Sequence, residues 1–65
     1  MFILEMVKVD SVAINSIGYD NGTLAVEFRQ GNIYFYPNVP EYLFENFLSA
    51  PSKGKFFNRY IRDKP

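Results

Sequence analysis

The chain has no cysteine, no histidine and no tryptophan among its 65 residues. Without cysteine no disulfide can staple the fold, and without cysteine or histidine the common structural zinc sites are excluded. The same absences remove the usual near-neutral general base and the strongest side-chain nucleophile. The scattered carboxylates form no catalytic constellation, so the expectation is a non-enzymatic protein with no catalytic residue, no metal and no cofactor. Net charge of either sign is also missing: seven Lys and Arg balance seven Asp and Glu. No apolar run approaches the ~20 residues that a membrane span needs. The apolar stretch from Met1 to Val9 is interrupted by Glu5 and is followed by no small-residue cleavage site, so a soluble cytoplasmic protein with no membrane partner is expected.

What the sequence does have is aromatic area. Apolar residues make up 48% of the chain, with seven Phe and five Tyr, and aromatic rings bury more surface per residue than other side chains. That suits one small domain with one core, a size at which stability is normally marginal. The zero net charge hides an asymmetry. Residues 1–51 carry two basic against six acidic side chains, a net −4, whereas residues 52–65 carry five basic against Asp63, a net +4. A basic end suits an anionic partner; opposite halves also attract each other, within one fold or between copies, or are simply solvated.

Turn chemistry divides the chain. Asp20-Asn21-Gly22 predicts a hairpin, because Asn and Gly tolerate the positive φ that tight hairpin turns require, and Gln30-Gly31-Asn32 predicts a second. Between them the chain alternates, with Leu24, Val26 and Phe28 on one face and Thr23, Ala25, Glu27 and Arg29 on the other, the period of a half-buried strand. Val12 and Ile14 are out of phase with Ile17 and Tyr19, which predicts a bulge near Asn15-Ser16. After the second turn Ile33 and Phe35 share one face, and Tyr34 and Tyr36 the other. From Pro37 the period becomes helical. Pro40 and Glu41 suit a helix start, Leu43, Phe44, Phe47 and Leu48 make its apolar stripe, and Ala50-Pro51 ends it. Ser52 caps a second helix whose stripe is Phe56, Phe57, Tyr60 and Ile61. The fold class expected is α+β: a three-stranded antiparallel β-meander followed by two α-helices packed on one face (β-β-β-α-α). Residues 1–8 form an apolar extension or an extra N-terminal edge strand, and are a possible contact between copies.

Two features stand out as candidate binding elements. In Ser52-Lys53-Gly54-Lys55, two lysines oppose the macrodipole at a helix start and the glycine weakens the helix by about 0.8–1 kcal/mol. Free N–H groups, a small residue and two cations suit a phosphate or carboxylate; the alternative is a helix beginning near Lys55 or Phe56, with a plain turn before it. Helical spacing adds Arg59 and Arg62 to the face of Lys55, with Asn58 alongside, as a track for phosphates. The second feature is Tyr34 and Tyr36. If Ile33 and Phe35 face the helices, both tyrosines stand on the open sheet face, where aromatics stack nucleobases; the alternative is that they pack against the N-terminal segment or a partner.

These segments resemble a known family. Ser11-Val12-Ala13-Ile14, Ile17-Gly18-Tyr19-Asp20, Leu24-Ala25-Val26-Glu27-Phe28 and Gly31-Asn32-Ile33-Tyr34-Phe35-Tyr36 are similar to the KTSC domain, named after the C-terminal region of some lysyl-tRNA synthetases. Val39-Pro40, Ala50, Ser52-Lys53-Gly54, Phe56-Phe57-Asn58 and Ile61-Arg62 continue the match, so residues 9–65 are expected to form the domain. The resemblance implies a small stand-alone or appended domain of bacteria and their phages, with a suggested RNA-binding role. It also singles out Tyr34, Tyr36 and the Ser52-to-Gly54 element, and implies no aminoacylation activity. The reading is a binding module for RNA or another nucleotide-containing anion, with Tyr34, Tyr36, Ser52, Lys53, Gly54, Lys55, Asn58, Arg59 and Arg62 as ligand-binding residues. The alternatives are a protein-interaction module, including a phage-type inhibitor of a host factor, and a homo-oligomer sequestering a signalling nucleotide.

Overall fold

A computed structural model describes residues 4–62. Four strands, β1 (Met6–Lys8), β2 (Ile14–Asp20), β3 (Thr23–Phe28) and β4 (Ile33–Tyr36), form one antiparallel sheet in the order β1-β2-β3-β4. Two helices follow, α1 (Glu41–Ser49) and α2 (Lys53–Phe57), and the second runs on into a π-helical turn, Asn58–Arg62. The expected meander is there, and the segment before it supplies a short edge strand. Phe2, Ile3 and Asp63 to Pro65 lie outside the described residues.

Local chemistry sets the boundaries. Asn21 (φ 50°) and Gly22 (φ 86°) make the two-residue hairpin between β2 and β3, the pair of positive φ values that matches strand twist. The Gly22 carbonyl also accepts from the Val39 N–H at 2.9 Å, which ties the β4–α1 connection to this turn. The bulge lies where the phase slips: Ile14 pairs with Phe28 but Ser16 with Glu27, leaving Asn15 as the extra residue. Asn15 and Ser16 both donate to the Glu27 carboxylate, at 3.1 and 2.6 Å, so the bulge is held by side chains as well.

The core lies between the sheet and the helices. Ile14, Ile17, Leu24, Val26 and Phe47 are fully buried, with Val39, Phe57 and Ile61 nearly so. Rings extend it outward: Tyr19 stacks on Phe44 at 5.2 Å and Phe47 on Phe56 at 5.2 Å. The opposite sheet face is partly covered by the chain before β1. A methyl group built on Gly18 would lie 2.8 Å from the Glu5 carbonyl oxygen and 2.7 Å from Met6 Sδ, so only glycine permits that approach. Ala25, in register with Gly18, is fully buried although it points away from the helices.

The register corrects the placement of β4. Tyr34 pairs with Val26 and Tyr36 with Leu24, both core residues, whereas Ile33 and Phe35 pair with Glu27 and Ala25. Paired residues share a face, so the tyrosines lie on the helix side and Ile33 and Phe35 on the open side. The reason is aromatic packing: Tyr36 meets Phe57 edge-on at 5.5 Å and Tyr34 meets Phe28 at 5.6 Å. A tyrosine at the rim of a core buries its ring and keeps its hydroxyl near water.

Candidate ligand site at the second helix

The basic end of the chain is organised by how α1 stops and α2 starts. The Ala50 N–H bonds the Phe47 carbonyl at 3.2 Å, and Pro51 prevents continuation. Ser52, in extended conformation, accepts from the Lys55 N–H through Oγ at 3.4 Å and caps α2. Helix initiation at Lys53 therefore agrees with the Ser52 cap, and the two lysines stand in the first turn. Asn58 closes the turn above, its N–H shared between the Gly54 and Lys55 carbonyls. That bifurcation passes into the π turn, a local widening often found at functional positions.

Two clefts of about 270 Å³ each flank Pro51 and Ser52. The first lies between the α2 start and the loop before β2, lined by Asp10, Ser11 and Val12 on one side and Lys53 and Gly54 on the other. The second runs along the outer surface of α2 and is lined by Lys55, Phe56, Arg59 and Tyr60 together with Ala50. In it two cations lie beside two rings. Tyr60 is 46% exposed and contacts Phe56 at 4.7 Å between centroids. The Arg59 guanidinium sits 5.6 Å from the Tyr60 ring centre, within cation–π range.

The sequence candidates divide accordingly. Lys55, Arg59 and Ser52 share the second cleft, and Ser52, Lys53 and Gly54 share the first. Lys53 is committed in part, since its Nζ donates to the Ala50 carbonyl at 2.5 Å and holds the end of α1. Asn58 and Arg62 are exposed but do not line either cleft. Tyr34 and Tyr36 are elsewhere: Tyr36 packs between the sheet and α2 against Phe57, and Tyr34, 47% exposed, meets Phe28 edge-on at the rim. Tyr36 is half-buried, and that burial, with Tyr34 beside it, raises its hydroxyl pKa. Both lie on the helix face of the sheet, not on its open face, and line neither cleft. Tyr60, assigned from its spacing to the apolar stripe, is the exposed ring beside the cations; the signal was its position next to Arg59 in a five-residue turn that carries two arginines. Among the described residues no acidic or thiol–imidazole cluster could hold a metal ion, and no helix is long and apolar enough to cross a membrane.

Comparison with known proteins places this architecture. A protein of Tsukamurella paurometabola is 38% identical over 61 residues, covering 91% of both chains. A lysine–tRNA ligase of Nostoc punctiforme is 36% identical over 61 residues, which are 91% of this chain but 11% of that enzyme. The chain thus spans about a tenth of the length of the ligase it matches. The crystal structure of a KTSC domain protein from Yersinia pestis superposes with a TM-score of 0.90 at 44% identity, covering 95% of this chain and 90% of that one. The KTSC domain model matches residues 10–64, nearly the whole meander-and-helices unit, and with these relatives it establishes that the chain belongs to the KTSC domain family.

Proposed function

We propose that this KTSC domain is a non-enzymatic module that binds single-stranded RNA through the outer face of α2. The observation that carries the reading is the single cleft holding Lys55, Arg59, Phe56 and Tyr60. Two cations within one cleft suit consecutive phosphates, and an exposed ring with a guanidinium plane beside it suits an unstacked base. Ser52 lies on the ridge between this cleft and that of Gly54, so a bound backbone crosses the helix start rather than ending at it. A related segment forms part of a ligase named for a tRNA substrate, which agrees with an RNA ligand.

The test is fluorescence anisotropy with short labelled oligoribonucleotides, with mononucleotides as competitors. Two phosphate contacts on a single strand give a slope of log K against log salt of about −1.4. Tyr60→Ala weakens binding by about 1–3 kcal/mol per stacked base, and Lys55→Glu with Arg59→Glu abolishes it. Competition by a mononucleotide as effective as the oligomer would reassign the site to a small nucleotide. Binding unchanged in Tyr60→Ala, or no binding at millimolar RNA, would refute the reading.

A further inference from the structure

The two edges of the sheet are built differently. Edge strands expose unpaired N–H and C=O groups, and proteins normally blunt them by shortness or by charge. β1 has both protections: it is three residues long, Glu5 precedes it and Lys8 ends it. β4 has neither. No charged side chain occurs from Gln30 to Pro40, and the strand is open on both faces, with Ile33 48%, Tyr34 47% and Phe35 58% exposed. Its backbone orientation is also fixed. The Asn32 carbonyl accepts from the Phe28 N–H at 2.9 Å, and the ladder continues with Tyr34 opposite Val26. Peptide groups alternate along an antiparallel strand, so Asn32 and Tyr34 turn theirs to β3 while Ile33 and Phe35 turn theirs outward.

We propose that β4 pairs with β4 of a second copy, antiparallel across a two-fold axis, to form one continuous eight-stranded sheet. The occupant is a second copy because the exposed segment is self-complementary and carries no charge, and the chain as a whole has no net charge to oppose association. Residues opposite each other in a ladder share a face, so the axis must pass through a residue, not between two. Centred on Tyr34, the register places Ile33 opposite the partner's Phe35 and Phe35 opposite the partner's Ile33, and every outward N–H meets an outward carbonyl. Centred on Phe35, it would set Ile33 against the partner's Pro37, which has no N–H, and leave the Ile33 carbonyl unanswered. Centred on Ile33, it would set Phe35 against the partner's Gly31, whose N–H is already given to the Phe28 carbonyl, so the Tyr34 register wins. It pairs Ile33 with Phe35 on the open face and brings the two Tyr34 side chains together on the helix face, in a non-hydrogen-bonded pair with Cα atoms about 4.5 Å apart.

Sedimentation equilibrium on the whole chain across a wide concentration range reads the outcome. The mass is expected to rise from 7.6 kDa towards twice that value, and Ile33→Lys, which sets a charge into the new ladder from an exposed position, is expected to hold it at 7.6 kDa. Because the chain has no cysteine, Tyr34→Cys gives an unambiguous second readout. It is expected to form a disulfide-linked dimer many times faster than Val12→Cys, whose side chain is 97% exposed on a loop away from β4. A mass that stays at the monomer value, a dimer indifferent to Ile33→Lys, or equal cross-linking of the two cysteine variants would each overturn the proposal.

Discussion

Gly54→Ala is expected to move stability and binding in opposite directions. Gly54 is the second residue of α2, and its carbonyl accepts from the Asn58 N–H as in any helix. Its φ lies outside the left-handed region, and a methyl group added there would meet no atom within 4 Å. Neither backbone conformation nor packing therefore requires glycine. Glycine inside a helix costs roughly 0.5–1 kcal/mol relative to alanine, largely by enlarging the entropy of the unfolded chain. In a domain of this size 1 kcal/mol moves the melting temperature by about 4–8 °C, so Gly54→Ala is expected to raise it by about 2–8 °C. Circular dichroism melts at one fixed protein concentration measure this; the concentration must be held because self-association would itself shift the midpoint. The same variant in the anisotropy assay is expected to bind RNA more weakly if the strand, crossing at Ser52, enters the neighbouring cleft that Gly54 lines. A fall in melting temperature would refute the reasoning about an unconstrained glycine. A rise with unchanged affinity would keep that reasoning and remove Gly54 from the site.

Other substitutions test the parts that hold this arrangement. Phe47→Ala removes a fully buried ring on which Phe56 stacks; a loss of about 3–5 kcal/mol in so small a domain should leave the variant largely unfolded by near-ultraviolet circular dichroism. Tyr19→Phe deletes the 2.5 Å hydrogen bond to the Val39 carbonyl, and denaturant titration should show a loss of about 1–3 kcal/mol for the unanswered acceptor. Glu27 is held below its ordinary value of 4.5 first by the Ser16 hydroxyl, then by Asn15, with Lys8 adding to it. A depressed folded-state pKa gives stability that is present above 4.5 and lost as pH falls from there through the folded value. Acid unfolding of Glu27→Gln should lack that component; an identical pH profile would count against the bulge network.

The fold was legible wherever a local rule was strong. Asn21-Gly22 specifies its turn by conformation alone, the phase slip between Ile14 and Ile17 marks the bulge, and Pro40, Pro51 and Ser52 delimit the helices. β4 resisted the same reading because its four residues, Ile-Tyr-Phe-Tyr, are apolar or aromatic on both faces, and a period-two pattern says which residues share a side, not which side faces the core. Hydropathy favours Ile33 and Phe35 inward; the register to β3 puts Tyr34 and Tyr36 there instead. Ile33 and Phe35 are left 48% and 58% exposed as a result.

That exchange of faces also moves the candidate site. With Tyr36 packed on Phe57, and with Tyr34, though 47% exposed, lining neither cleft, the ring beside the cations must come from elsewhere. The π turn supplies it. Phe57 and Ile61 point inward, and Phe56 bridges from Phe47 to Tyr60, so a stack runs from the buried centre to the surface and ends beside Lys55 and Arg59. Helical spacing alone assigned Tyr60 to the core stripe, because that spacing assumes an α-helix throughout. The change to π winding over Asn58–Arg62 leaves Ile61 in the core and Tyr60 half in solvent. If that winding sets the geometry of the site, a variant that restores α-helical winding should keep the fold and lose RNA affinity. Deletion of Asn58, which takes one residue out of the widened turn, is the direct test. Retained affinity in a folded deletion variant would show that the cations alone hold the ligand.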